Sequence, residues 1–144
     1  MSPATRLAAL VAAMGIALPA TAAVTVKDAW VRGTVPGQST TGGYLTLRSS
    51  EDAKLVAVAT PAAKRAEIHS SEMKGGVMRM RPVESVALPA GRDVAIQGEL
   101  HLMLIDVTHV LGANERVPLT LTVEDAHGKR SKVEVQAPVR PLGQ

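Results

Sequence analysis

Apolar and polar residues alternate along much of this chain with a period of two, the period of a strand with one buried face. Residues 100–107 place leucines at 100, 102 and 104 between His101, Met103 and Ile105. Residues 117–124 repeat the pattern with Val117, Leu119, Leu121 and Val123. The same reading predicts strands over 24–31, 44–47, 54–59, 65–69, 77–82, 93–96 and 132–135, with 83–88 extending the fifth. In the first of them Val24, Val26 and Trp30 fall on one side. Turn chemistry separates the segments: Pro36-Gly37 and Gly42-Gly43 in a loop over 33–43, Gly75-Gly76 as a hairpin turn, and Pro89-Ala90-Gly91. No stretch of ten residues carries helical periodicity with caps. Eight or nine short strands at this spacing predict an all-β fold, an antiparallel β-sandwich of Greek-key type.

The first 23 residues break the pattern. Arg6 precedes an apolar run from Leu7 to Leu18, then Pro19 and the small residues Ala20, Thr21, Ala22 and Ala23. About 12 apolar residues are too few for a bilayer that needs about 20, and the small residues suit a cleavage site. We therefore expect residues 1–23 to be a signal peptide, 24–137 the folded domain and 138–144 a flexible tail. The mature chain is expected to lie outside the cytoplasm with no membrane span. No cysteine stands near the cleavage region to carry a lipid.

Composition narrows the function. The chain has no Cys and no Phe, and Trp30 and Tyr44 are its only large aromatics, so the core is aliphatic and has no disulfide support. Beyond residue 23 there are 15 basic and 13 acidic residues, scattered rather than clustered. That balance, with no aromatics interleaved among the cations, excludes a nucleic-acid surface. Paired carboxylates, a Ser/His/Asp set and a phosphate-binding glycine loop are not identifiable, and the expectation is a protein that is not an enzyme.

What stands out is soft-metal chemistry. His69 and Met80 are separated by ten residues, and His101 and Met103 by one. Imidazole nitrogen and thioether sulfur together suit Cu(I), and a thioether survives where thiols are oxidised. On a strand, His101 and Met103 share a face about 7 Å apart while Leu100, Leu102 and Leu104 point to the core. Met78 and Met80 share a face likewise, and a hairpin at Gly75-Gly76 would bring Met80 toward His69. Taken singly, a methionine is more often a core filler than a ligand, and a lone histidine more often structural. Co-location favours a site: Met73, Met78, Met80 and Met103 all lie within five residues of His69, Met80 or His101. His109 and His127 have no methionine nearby.

These residues carry a family resemblance. Ala66-Glu67-Ile68-His69, Gly75-Gly76-Val77-Met78-Arg79-Met80-Arg81-Pro82-Val83 and His101-Leu102-Met103-Leu104 resemble the signature of periplasmic copper chaperones of the PCu(A)C family. Asp28-Ala29-Trp30-Val31-Arg32, Gly43-Tyr44-Leu45 and Val117-Pro118-Leu119-Thr120-Leu121-Thr122 are similar as well, so the likeness covers nearly all of the mature domain. The resemblance implies a cupredoxin-like sandwich in the periplasm that binds one Cu(I) at an exposed rim through His69, Met80, His101 and Met103. It further implies delivery to the dinuclear copper centre of the cytochrome c oxidase copper-binding subunit, with a thioredoxin-like copper protein as a second partner. Two departures stand out. Gly98-Glu99-Leu100 replaces a glycine pair and aromatic before the second histidine, and residues 136–144 hold no His or Met for a tail-based Cu(II) site.

A blue-copper electron carrier would need a Cys thiolate and is excluded. The competing reading is a non-catalytic envelope module that uses its sandwich for protein contacts, with the methionines as a hydrophobic patch.

Overall fold

A computed structural model describes residues 22–142, and all of the regular structure among them is strand. The expected signal peptide lies outside the described residues except for its last two positions, and so do the final two residues of the tail. The ten strands are β1 (Val24–Arg32), β2 (Thr40–Ser49), β3 (Ala53–Ala59), β4 (Ala63–Lys74), β5 (Val77–Pro82), β6 (Val86–Leu88), β7 (Asp93–Ile96), β8 (Leu100–Val107), β9 (Arg116–Asp125) and β10 (Arg130–Arg140). They follow one another in space as β5-β4-β8-β2-β1-β10-β9-β3-β6, with β7 beside β2. All pairings are antiparallel except β1 with β10. That parallel pair, Val31 with Val139 and Arg32 with Arg140, joins the two halves of the sandwich.

A single aliphatic core lies inside. Leu45 and Leu47 of β2, Leu102 and Leu104 of β8, Leu55 of β3 and Leu119 and Leu121 of β9 are all fully buried. β9 obeys the predicted alternation throughout, with Val117, Leu119, Leu121 and Val123 inside and the intervening residues facing outward. Each such side chain contributes about 1.5–3 kcal/mol by leaving water, which lets a core without Phe or Trp suffice.

Three expectations are corrected by register. The first concerns Trp30. Val24 to Lys27 pair with Ser49 to Thr46, but Trp30 pairs with Tyr44, one residue out of step, and Asp28 in the bulge takes a φ of 55°. An inserted residue reverses the faces. Val24 and Val26 pack against the core, whereas Trp30 turns outward and stacks on Tyr44 with centroids 4.4 Å apart. The second concerns β2, which starts inside the predicted glycine loop because Thr40 to Gly43 pair with Ile105 to Leu102. The third concerns the tail. β10 continues through Pro138, Val139 and Arg140, where Val139 is buried and the Arg140 guanidinium sits 4.5 Å from the Trp30 ring centroid. A buried valine and a parallel partner hold those residues in the sheet rather than in a flexible tail.

The turns follow local chemistry. Gly75 and Gly76 both have positive φ, 60° and 76°, as a two-residue hairpin joining Lys74 to Val77 requires. Asp125 closes the β9–β10 turn, accepting hydrogen bonds from the backbone N–H groups of Lys129 and His127 at 2.9 Å each. Those two donors hold its carboxyl below the ordinary value.

Candidate metal centre

β4 lies between β5 and β8, and that placement builds the site. On the β8 side, His69 stands directly opposite His101 and Glu67 directly opposite Met103. On the β5 side, His69 faces Pro82, and Met80 is two residues further toward the hairpin tip, opposite Ser71. Residues directly opposite in an antiparallel pair point to one face, and so do alternate residues along a strand. His69, Met80, His101 and Met103 therefore share the outer face of three adjacent strands, as the alternation around His101 requires. Leu102 and Leu104 take the other face and are fully buried. His109 lies apart, its Nε2 paired with the Glu115 carboxylate, and His127 sits in the β9–β10 turn.

The two imidazoles have centroids 6.2 Å apart and are tilted by 52°. With metal–imidazole bonds of about 2 Å, two rings on one ion have centroids roughly 5–6 Å apart, depending on the angle at the ion. Burial is deeper than an exposed rim: His101 is only 5% exposed, while Met80, at 54%, supplies the open side. Tyr44 borders the site from β2. Its hydroxyl leans over Gly42, the residue opposite Met103, where a Cβ would come within 2.6 Å of it.

A further carboxylate joins the site from β4. The His69 Nε2 lies 2.8 Å from the Glu67 carboxylate. A carboxylate only accepts, so Nε2–H donates and a neutral ring keeps its lone pair on Nδ1. That Nδ1 is buried and has no hydrogen-bond partner, and neither has the buried Nε2 of His101. An unpaired buried polar atom costs about 1–3 kcal/mol, so these two on facing rings call for a partner such as a water or an ion. Glu67 could have been found in the sequence, since a residue two positions before a strand histidine shares its face. The Arg65 guanidinium is 3.6 Å from the other carboxylate oxygen.

Among the described residues no three of His, Asp and Glu gather as a metal site, and the soft donors that share the face of the two imidazoles are the Met80 and Met103 thioethers. Two imidazole nitrogens and two thioethers form a neutral, soft donor set of the type that holds Cu(I).

Residues 24–139 match the LpqE-like family of putative lipoproteins. No protein of curated function is significantly similar in sequence. Among solved structures, the apo PCuAC domain from PmoF1 is similar with a TM-score of 0.66 at 21% identity, over 82% of this chain and 93% of that one. The copper-bound PCuAC domain from PmoF2 gives 0.65 at 17% identity, over 82% and 92% respectively. The solution structure of Cu(I)-DR1885 from Deinococcus radiodurans gives 0.56 at 29% identity, over 92% of this chain and 85% of that one. The fold is thus the cupredoxin-like sandwich expected of the sequence.

Proposed function

The chain belongs to the LpqE-like family of putative lipoproteins, and on that premise we propose that it is a periplasmic copper chaperone. It binds one Cu(I) through His69, Met80, His101 and Met103 and passes it to the dinuclear copper centre of cytochrome c oxidase. The carrying observation is the pair of facing imidazoles, each with a buried nitrogen lacking a partner, on the same face as two thioethers. The likeness to Cu(I)-DR1885 supports the choice of metal and of oxidation state.

The chemistry is that of a carrier. Four neutral donors leave the ion with its single positive charge, which favours Cu(I) over Cu(II). His69 and His101 sit on paired strands and provide the rigid side. Met80, exposed on the hairpin, is the donor that a recipient displaces first. No thiol takes part, so the site stays competent in an oxidising compartment, although oxidation of Met80 or Met103 to the sulfoxide would remove its soft character.

Anaerobic titration of the mature domain with Cu(I) against a chromogenic chelator tests this reading. One tight equivalent per chain is expected, followed by transfer to an apo oxidase copper subunit, visible as the absorption of its dinuclear centre. Failure to compete with the chelator would leave an envelope interaction module as the better account.

Glu67 provides a sharper check on geometry. Glu67→Ala should weaken Cu(I) binding about 10–100-fold, the usual cost of losing an orienting partner. It should also release the His69 tautomer, read in the apo protein from the ring 15N shifts. Unchanged affinity and unchanged shifts would reduce the Glu67–His69 contact to a surface pair.

A further inference from the structure

The β4–β5 hairpin carries methionines that packing does not explain. Met73 and Met78 stand directly opposite each other beside the Gly75-Gly76 turn, and Met80 follows two residues along β5. By alternation the three share one face. They are 65%, 59% and 54% exposed, so none repays its apolar surface by burial. Lys74, Arg79 and Arg81 occupy the alternate positions and lie on the other face, away from the thioethers.

The spacing suits a shared ion. Opposite residues have Cβ atoms about 4.5–5.5 Å apart, and alternate residues on one strand are about 7 Å apart. A methionine side chain has three rotatable bonds, so three sulfurs at these positions can converge. Met73 and Met78 also line an open groove of about 420 Å³ with Ser71, Gly98 and Glu99, and the Ser71 N–H donates to the Glu99 carbonyl at 2.7 Å. The Met73–Met78, Ser71–Met80 and His69–Pro82 pairs follow one another down the hairpin toward His101.

We propose that Met73, Met78 and Met80 form a second, weaker Cu(I) site that loads the first. Met80 belongs to both. An ion held by three thioethers at the hairpin exchanges Met73 and Met78 for His69, His101 and Met103 while Met80 stays bound. No electron moves, since Cu(I) enters and leaves as Cu(I). The proposal rests on the chaperone reading given above, but it concerns different side chains and can fail separately.

The test labels the methionine methyls of the mature chain with 13C and adds Ag(I), a redox-inert stand-in for Cu(I). The first equivalent should shift Met80 and Met103; the second, which finds Met80 already taken and so binds about tenfold more weakly or worse, should shift Met73 and Met78. A Met73→Leu/Met78→Leu variant keeps exposed apolar side chains of similar size and should fold as before. It should lose the second event, keep the first, and load several-fold more slowly from a Cu(I)–chelator complex. If two equivalents move Met80 and Met103 but leave Met73 and Met78 in place, the hairpin site is wrong and the chaperone reading stands. If no methionine methyl moves, both fall.

Discussion

The double variant His101→Ala/Met103→Leu is expected to lose Cu(I) retention, with affinity falling by well over 100-fold. Losing an outer partner of a ligand already costs about 10–100-fold, and this variant removes a ligating nitrogen and a sulfur together. The two substitutions act differently on the fold. Met103→Leu keeps volume and polarity, and half-buried Met103 has room to adapt. His101→Ala removes a ring that is 5% exposed and whose Nε2 has no partner. Deleting an unpaired polar atom recovers part of what its volume loses. Apo stability should therefore change far less than affinity. Thermal unfolding with and without Cu(I) separates the two effects. A ligand present at about 1,000 times its Kd adds about 4 kcal/mol to the native state. Wild type should show that copper-dependent rise in Tm, and the double variant should not. A variant that still competes with the chelator at wild-type affinity would remove β8 from the site.

Leu102→Ala is expected to destabilise the apo domain by about 2–5 kcal/mol, a large share of the 5–15 kcal/mol available to a domain. Leu102 is fully buried between His101 and Met103 in sequence, with Ile68 opposite it on β4 and Gly43 opposite it on β2. A Cβ placed on Gly43 would lie 3.3 Å from the Leu102 Cβ, so this leucine fills the space the glycine leaves. Gly43 has no side chain that could fill the cavity, which puts the loss toward the upper end. Copper affinity should fall as well, because β8 positions His101 against His69. Urea unfolding of the apo protein measures the first effect. A loss below about 1 kcal/mol would mean that β8 tolerates a hole beneath the site.

Much of the fold was legible because alternation is local. Val117 to Val123 and Leu100 to Leu104 declare which side of a strand faces the core, and Gly75-Gly76 declares a tight turn whatever lies elsewhere in the chain. The face shared by His101 and Met103 follows from the same rule. Where the reading failed, distant pairing overrode local pattern. The bulge at Asp28 turned Trp30 away from Val24 and Val26, and β8 drew Thr40 to Gly43 into a strand despite their glycines. The parallel partner in β1 held Val139 and Arg140 in the sheet.

The candidate site divides along the same line. From sequence alone came the donor types, the absence of thiol chemistry, the shared face on β8 and the hairpin that carries Met80. Tertiary structure decided that β4 sits between β5 and β8, that His69 faces His101 rather than Met80, that Glu67 occupies the His69 Nε2, and that His101 is buried. Those facts depend on register between strands far apart in the chain, and register is set by how both faces of the sandwich pack. A residue's type and its side of a strand are properties of a few neighbours; what it meets across the ladder belongs to the whole fold.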